Sequence, residues 1–109
     1  MKKIIDGVRY DSEKAIKVGQ GDNLGQGVSS VTDFGYWTAE LYRTPRSGRF
    51  FLVGEGGPQS RFAQSAGQNT WSGGSDLIPI SKEEALSWAE RYLDVKVVEE
   101  HFSELIGDA

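Results

Sequence analysis

The segment YWTAELYRTPRSGRFFLV, Tyr36 to Val53, decides the fold. Its first half alternates. Trp37, Ala39 and Leu41 fall on one side of an extended chain and Thr38, Glu40 and Tyr42 on the other, the period of two that a half-buried strand requires. Thr44-Pro45-Arg46-Ser47-Gly48 reads as a turn, because proline presets the first corner and glycine closes it without steric cost. Arg49 to Val53 then returns as the partner strand. Symmetric closure of a five-residue loop sets Leu41 opposite Phe51 and Ala39 opposite Val53. Trp37, Leu41, Phe51 and Val53 would then share one apolar face. Tyr42 opposite Phe50 and Glu40 opposite Leu52 would make a mixed second face.

Upstream, Lys3-Ile4-Ile5 and Val8-Arg9-Tyr10 flank Asp6-Gly7, the dipeptide of a type I′ hairpin turn, in which both central residues need positive φ. Asp11 or Ser12 is placed to cap a short helical turn through Ala15 and Ile16. Residues 19–35 hold five glycines among Asp, Asn and Ser with no surviving period. They read as a long loop with a short strand at Gly27 to Val31. Downstream, Gly54, Gly56, Gly57 and Pro58 end the hairpin. Gln59 to Ser65 reads as a short helix burying Phe62 and stopped by Gly67. Trp71-Ser72-Gly73-Gly74 reads as a tight turn, and at least two of Gly56, Gly57, Gly73 and Gly74 are expected at positive φ. Leu77 to Ile80 is a short strand, confined to an edge by Pro79.

The C-terminal third is helical. Ser81 and Glu84 have the spacing of a capping box. Ala85, Leu86, Trp88, Ala89 and Leu93 make the apolar stripe of a helix over 81–93. Asp94 begins a second helix in which Val95, Val98, Phe102 and Leu105 recur at helical spacing before Gly107. Ala89, Leu93 and Phe102 are expected to cover the apolar sheet face. The fold class is therefore α+β, a small antiparallel sheet of three to five strands packed by two C-terminal helices, as one domain over 1–109.

Composition narrows the chemistry. The chain has 109 residues, no cysteine and one histidine, so thiolate metal sites, disulfides and a cysteine nucleophile are excluded. No apolar run has signal-peptide length or the ~20 residues of a membrane span, and a cytoplasmic location is expected. The net charge of −4 hides an asymmetry: residues 1–75 sum to +2 and residues 76–109 to −6. A negative surface repels nucleic acid and favours a basic partner.

Four candidate sites follow. The first is the acidic helical surface of Glu83, Glu84, Glu90, Asp94, Glu99, Glu100 and Glu104, read as partner-binding; a solvated helical face is the plainer reading. The second is the hairpin, where Tyr42, Arg43, Arg46, Arg49 and Phe50, near Trp37, have the residue types of a base-stacking platform or of a protein interface. The third is GEGGPQS with Glu55 and Arg61, readable as an anion loop or a small catalytic pair. It lacks the Lys-Ser/Thr ending of a P-loop and the order of a dinucleotide site. His101 is the fourth, a candidate base with no nucleophile in its helix pattern, and a surface histidine is the plainer reading. No metal, no cofactor and no catalytic residue is expected.

The blocks MKKIIDGVRYDSEKA, LYRTPRSGRFFLVGEGGPQSRFA and WSGGSDLIPISKEEALSWAERYL resemble a family of small proteins carried on bacterial plasmids, integrative elements and prophages. The likeness covers residues 1–18 and 41–93. Small acidic proteins of such elements are similar to anti-CRISPR proteins, including inhibitors of type I systems. The resemblance implies a non-catalytic, monomeric inhibitor in the host bacterial cell. Its acidic helices would mimic DNA on a basic DNA-binding surface of a CRISPR effector subunit, with no direct nucleic-acid or membrane contact. The rival is a small enzyme or nucleotide-binding protein using the glycine-rich loop with Glu55 and Arg61.

Overall fold

The structure, a computed structural model, describes all 109 residues. In chain order it runs β1 (Lys2–Ile5), β2 (Val8–Asp11), β3 (Ile16–Asp22), β4 (Trp37–Arg43), β5 (Phe50–Gly56), β6 (Gln64–Gly67), β7 (Thr70–Ser72) and β8 (Gly74–Ile80). Helices α1 (Lys82–Tyr92) and α2 (Val95–Phe102) follow, ended by a 3₁₀ turn at Ser103–Leu105. Strands β3-β4-β5-β8 form a four-stranded antiparallel sheet, and β1-β2 and β6-β7 are separate hairpins. This is the α+β arrangement the sequence predicts. β8, the strand carrying Pro79, is an edge as expected.

The register of the central hairpin differs from the five-residue closure by one position. Arg43 pairs with Phe50, Tyr42 with Phe51 and Leu41 with Leu52, so the loop holds six residues, Thr44 to Arg49. The Thr44 N–H donates to the Arg49 carbonyl at 2.8 Å, and the Arg49 N–H donates to Thr44 Oγ1 at 2.9 Å. Gly48, at φ 65°, takes up the added residue in the left-handed region. A one-residue slip inverts the faces of the returning strand. Phe50 and Leu52 therefore join Ala39 and Leu41 beneath the helices, and Phe51 and Val53 cross to the opposite side. The expected face of Trp37, Leu41, Phe51 and Val53 is thus corrected at its last two members.

Phe51 is nonetheless fully buried. The N-terminal hairpin covers it, with Tyr10 edge-on at 5.5 Å and Tyr42 stacked at 5.4 Å, and Ile5, Val8, Ala15 and Leu77 packed around. The turn behind this lid has Asp6 at φ 51° and Gly7 at φ 76°, the type I′ geometry the Asp-Gly dipeptide predicts.

Several other expectations are corrected. Residues 16–22 are strand β3; only Ser12 to Lys14 form the turn after β2. Gly19 and Gly21 lie in β3 because α1 crosses it closely. A Cβ on Gly19 would stand 2.5 Å from Leu93 Cδ2, and one on Gly21 2.8 Å from Tyr92 Cβ, so glycine marks close packing here and not a loop. Between Asp22 and Trp37 the chain is irregular, with a single Leu24–Val28 bridge in place of a strand at 27–31. Residues 59–65 are not a helix: they turn, bury Phe62 over Gly54, and enter hairpin β6-β7. Trp71 and Ser72 are strand residues of that hairpin. Gly56, Gly57, Gly73 and Gly74 all lack positive φ. They admit neighbours instead; a Cβ on Gly73 would lie 2.8 Å from the Gly56 carbonyl oxygen.

The helices pack as read, with Ala85, Trp88 and Ala89 of α1 and Val98 and Phe102 of α2 buried. Ser81 Oγ accepts the Glu84 N–H at 3.0 Å, one half of the capping box. The other half is not made, because the Glu84 carboxylate takes Arg61 at 3.2 Å. Asp94 is the N-cap residue of α2 through its backbone carbonyl, which accepts from Val97 and Val98, while its side chain makes no capping bond. Phe102 stacks on Phe50 at 5.0 Å, tying α2 to the sheet. Gly107 lies beyond the helix, which already ends at Phe102.

The α1–β3 contact gives a direct test. Gly21→Ala is expected to lose about 1–3 kcal/mol by overpacking against Tyr92. Gly107→Ala, with nothing within 4 Å of its added methyl group, should stay within about 0.5 kcal/mol of wild type. Urea unfolding of the two variants measures both, and equal stabilities would contradict the close crossing.

Candidate functional site

The helices place all seven sequence-predicted carboxylates, Glu83, Glu84, Glu90, Asp94, Glu99, Glu100 and Glu104, at the exposed surface. The stripes Ala85-Trp88-Ala89 and Val98-Phe102 face the sheet and turn the acidic positions outward. Of the seven, Glu84 is paired with Arg61 and Glu100 lies 4.0 Å from His101 Nε2. Glu83, Glu90, Asp94, Glu99 and Glu104 enter no ion pair. Their negative potential is therefore not cancelled by a bonded cation.

Between α1, α2 and the C-terminal residues runs a groove of about 650 Å³. Its apolar lining is Leu86, Leu93, Val95, Val98, Leu105 and Ile106, and Glu90, Glu99 and Asp108 also line it. Val95 is 73% exposed, Leu105 39% and Ile106 43%. The sequence reading missed this feature, since the recurrence of Val95, Val98, Phe102 and Leu105 at helical spacing does not separate the buried members from the exposed ones at its two ends.

The hairpin set is not one surface. Tyr42 stacks on Phe51 toward the N-terminal hairpin, whereas Phe50 is buried against Phe102 on the helix side. Trp37 packs with Trp88 and Tyr92. Arg46 and Arg49 are exposed at the turn, and Arg43 is half-buried beside α2. A stacking platform of Tyr42, Arg43, Arg46, Arg49 and Phe50 is therefore not assembled. Nor are Glu55 and Arg61 brought together as an ion pair, because Arg61 bonds Glu84 and Glu55 has no ionic partner. The glycine loop does not aim its N–H groups at an anion: Gly54 and Gly56 lie in β5, and the Gly57 N–H donates to the Tyr36 carbonyl at 2.9 Å.

Glu55 instead lines an open concavity of about 400 Å³ with Gln20, Thr38, Glu40, Val53 and Ser75, on the part of the sheet that the N-terminal hairpin leaves uncovered. Glu40 is engaged by Lys17 at 2.7 Å, and this hydrogen bond raises the Lys17 pKa. Tyr42 next to it is raised by burial first and by Glu40 second. No group of three His, Asp or Glu side chains converges to hold a metal ion, and no helix is long and apolar enough to cross a membrane.

His101 has a side chain only 9% exposed. Burial first, and the Arg43 guanidinium second, hold its pKa below the usual 6.5, opposed by Glu100. His101 Nδ1 and Arg43 Nε are both buried without a hydrogen-bond partner in the protein. A protonated imidazole would be desolvated beside a cation, so the neutral form is the one the fold accepts.

Comparison with protein-family models, curated proteins and solved structures gives no match, and so adds no support to the mobile-element resemblance. The functional reading rests on the geometry above.

His101 supplies a pH test with a definite sign. Above about 6.5 the imidazole is neutral in both folded and unfolded chains and costs nothing. As pH falls below that value the unfolded chain takes the proton more readily, so stability drops through the lowered folded pKa. Unfolding free energy should fall as the pH drops below about 6.5 in wild type and less in His101→Gln. Parallel curves would remove His101 as the cause.

Proposed function

We propose that the chain is a non-catalytic binding inhibitor whose acidic helices occupy a basic, DNA-binding surface of a protein partner. In keeping with the resemblance of its sequence blocks, the partner would be a subunit of a CRISPR effector complex, engaged in the cytoplasm of the host bacterial cell. The observation that carries this reading is the exposure of seven carboxylates on α1, α2 and the turn after them, five without an ion pair. Residues 76–109 sum to −6 while the rest of the chain is weakly positive. A basic groove that receives duplex DNA, with about one charge per 1.7 Å of axis, would attract such a surface and exclude DNA from it.

The catalytic alternative loses its proposed pair, since Arg61 is bonded to Glu84 and the loop N–H groups are engaged in the fold. Glu55 in the sheet concavity remains open to solvent and has no ionic partner.

Binding of the purified chain to an effector complex, with and without target DNA, tests the proposal. DNA and the chain should exclude each other. Affinity should fall as salt rises from about 0.1 M to about 1 M, where the screening length shrinks from roughly 10 Å to roughly 3 Å. Reversal of Glu83, Glu90, Glu99 and Glu104 to lysine should weaken binding about tenfold or more while leaving the thermal midpoint nearly unchanged, because these side chains are exposed and unpaired. Simultaneous binding of DNA and chain, or inactivation of the effector by substoichiometric chain, would sink the inhibitor reading.

A further inference from the structure

The groove between α1 and α2 does not suit a pure DNA mimic. A surface that only imitates phosphates needs carboxylates on a polar background. Here the exposed Val95, Leu105 and Ile106 line one depression of about 650 Å³ together with Glu90, Glu99 and Asp108. Apolar and charged side chains that share one concave patch have the composition of a protein-binding centre with a polar rim.

We infer that this groove seats an amphipathic segment of the partner protein, with apolar side chains on one face and lysine or arginine on its flanks. The inference rests on the binding reading above and names what the acidic helices hold. Charge complementarity selects the occupant: Glu90, Glu99 and Asp108 line the groove, and none of them is in an ion pair. A basic flank would supply the missing counter-charges as its apolar face covers Val95, Leu105 and Ile106. An acidic segment would be repelled. A purely polar basic segment would leave the apolar floor wet. Helix-in-groove recognition of this kind is read through apolar anchors one turn apart.

The test uses the full chain and a fluorescein-labelled synthetic peptide of about 12 residues, roughly three helical turns. It carries leucines at i, i+3, i+4 and i+7 and lysines elsewhere, and a scrambled peptide of the same composition is the control. Anisotropy titration should show the amphipathic peptide binding about tenfold or more tightly than the scrambled one. The chain variant Val95→Asp/Ile106→Asp adds negative charge while removing apolar surface, so it separates the two contributions. It should weaken binding of the amphipathic peptide despite its added charge. Val95→Ser alone repeats the measurement with a smaller change at a mostly exposed position, should the double variant fail to fold.

If the two peptides bind alike, and the double Asp variant binds both at least as tightly, only charge is read. The groove inference then falls and the acidic-helix reading stands. Failure of both peptides to bind also overturns the groove, and the DNA-exclusion experiment decides separately whether the acidic-helix reading falls with it. Self-association of the chain that Val95→Asp abolishes would overturn the inference in favour of a second copy as the occupant.

Discussion

The structure depends on how closely α1 can approach the sheet. Ala85 and Ala89 present only methyl groups on the inner side of the helix and are both fully buried. β3 offers Gly19 and Gly21, whose missing side chains leave room for Leu93 and Tyr92. Interior packing at near-crystalline density tolerates few voids and little overlap, so the buried alanines of α1 and the glycines of β3 together make a seam that sets the height of α1 above the sheet. The larger residues then fill the flanks: Trp88 and Tyr92 meet Trp37 on one side, and Phe102 of α2 meets Phe50 on the other. The acidic positions of both helices face solvent because the inner positions are committed to this seam.

The two faces of the sheet are unequal as a consequence. The helix side has a contiguous core of 11 buried residues, and the opposite side has three, Tyr10, Phe51 and Leu77. A short two-stranded hairpin is marginal by itself in water, so β1-β2 is held as a lid by the apolar contact of Tyr10 with Phe51. Lys3 adds a charge-assisted bond to Asp76 on edge strand β8, although an exposed pair of this kind contributes little to stability. The hairpin is too small to cover the sheet, and the remainder is the concavity lined by Gln20, Thr38, Glu40, Glu55 and Ser75. In the corrected register the second face is still mixed: Tyr42 and Phe51 lie under the lid, and Thr38 and Glu40 beside it.

What the sequence disclosed follows from how local each signal is. The Asp-Gly turn, the alternation of Trp37 to Tyr42, the Ser81 cap and the two helices are set by neighbours within four residues, and all appear as read. The hairpin register failed on one residue, because nothing in the order of Thr44 to Arg49 declares that the Thr44 hydroxyl closes a six-residue loop. The glycines failed for another reason. Gly19, Gly21 and Gly73 are required by partners distant in sequence or on another strand, and a non-local demand leaves the same letter as a local turn. Of the candidate site, the charge was legible and the groove was not, since Val95 and Leu105 carry the same helical period as the buried Val98 and Phe102 but remain exposed.

Charge and shape therefore come from different parts of the folding problem. Acidic residues on an outward helix face cost the fold almost nothing, so their excess is free to answer to a partner. Exposed valine, leucine and isoleucine in a concave patch are different, since each gives up hydrophobic burial of about 25 cal/mol per Å² that a polar surface would not forgo. Leu86, Leu93 and Val98 at the floor are already used by the α1–α2 packing. Val95 is mostly accessible, and Leu105 and Ile106 remain partly so. A chain that keeps unburied apolar side chains beside unpaired carboxylates has a surface that a partner of matching chemistry would stabilise. That is the physical ground for proposing a protein partner in preference to a substrate or a nucleic acid.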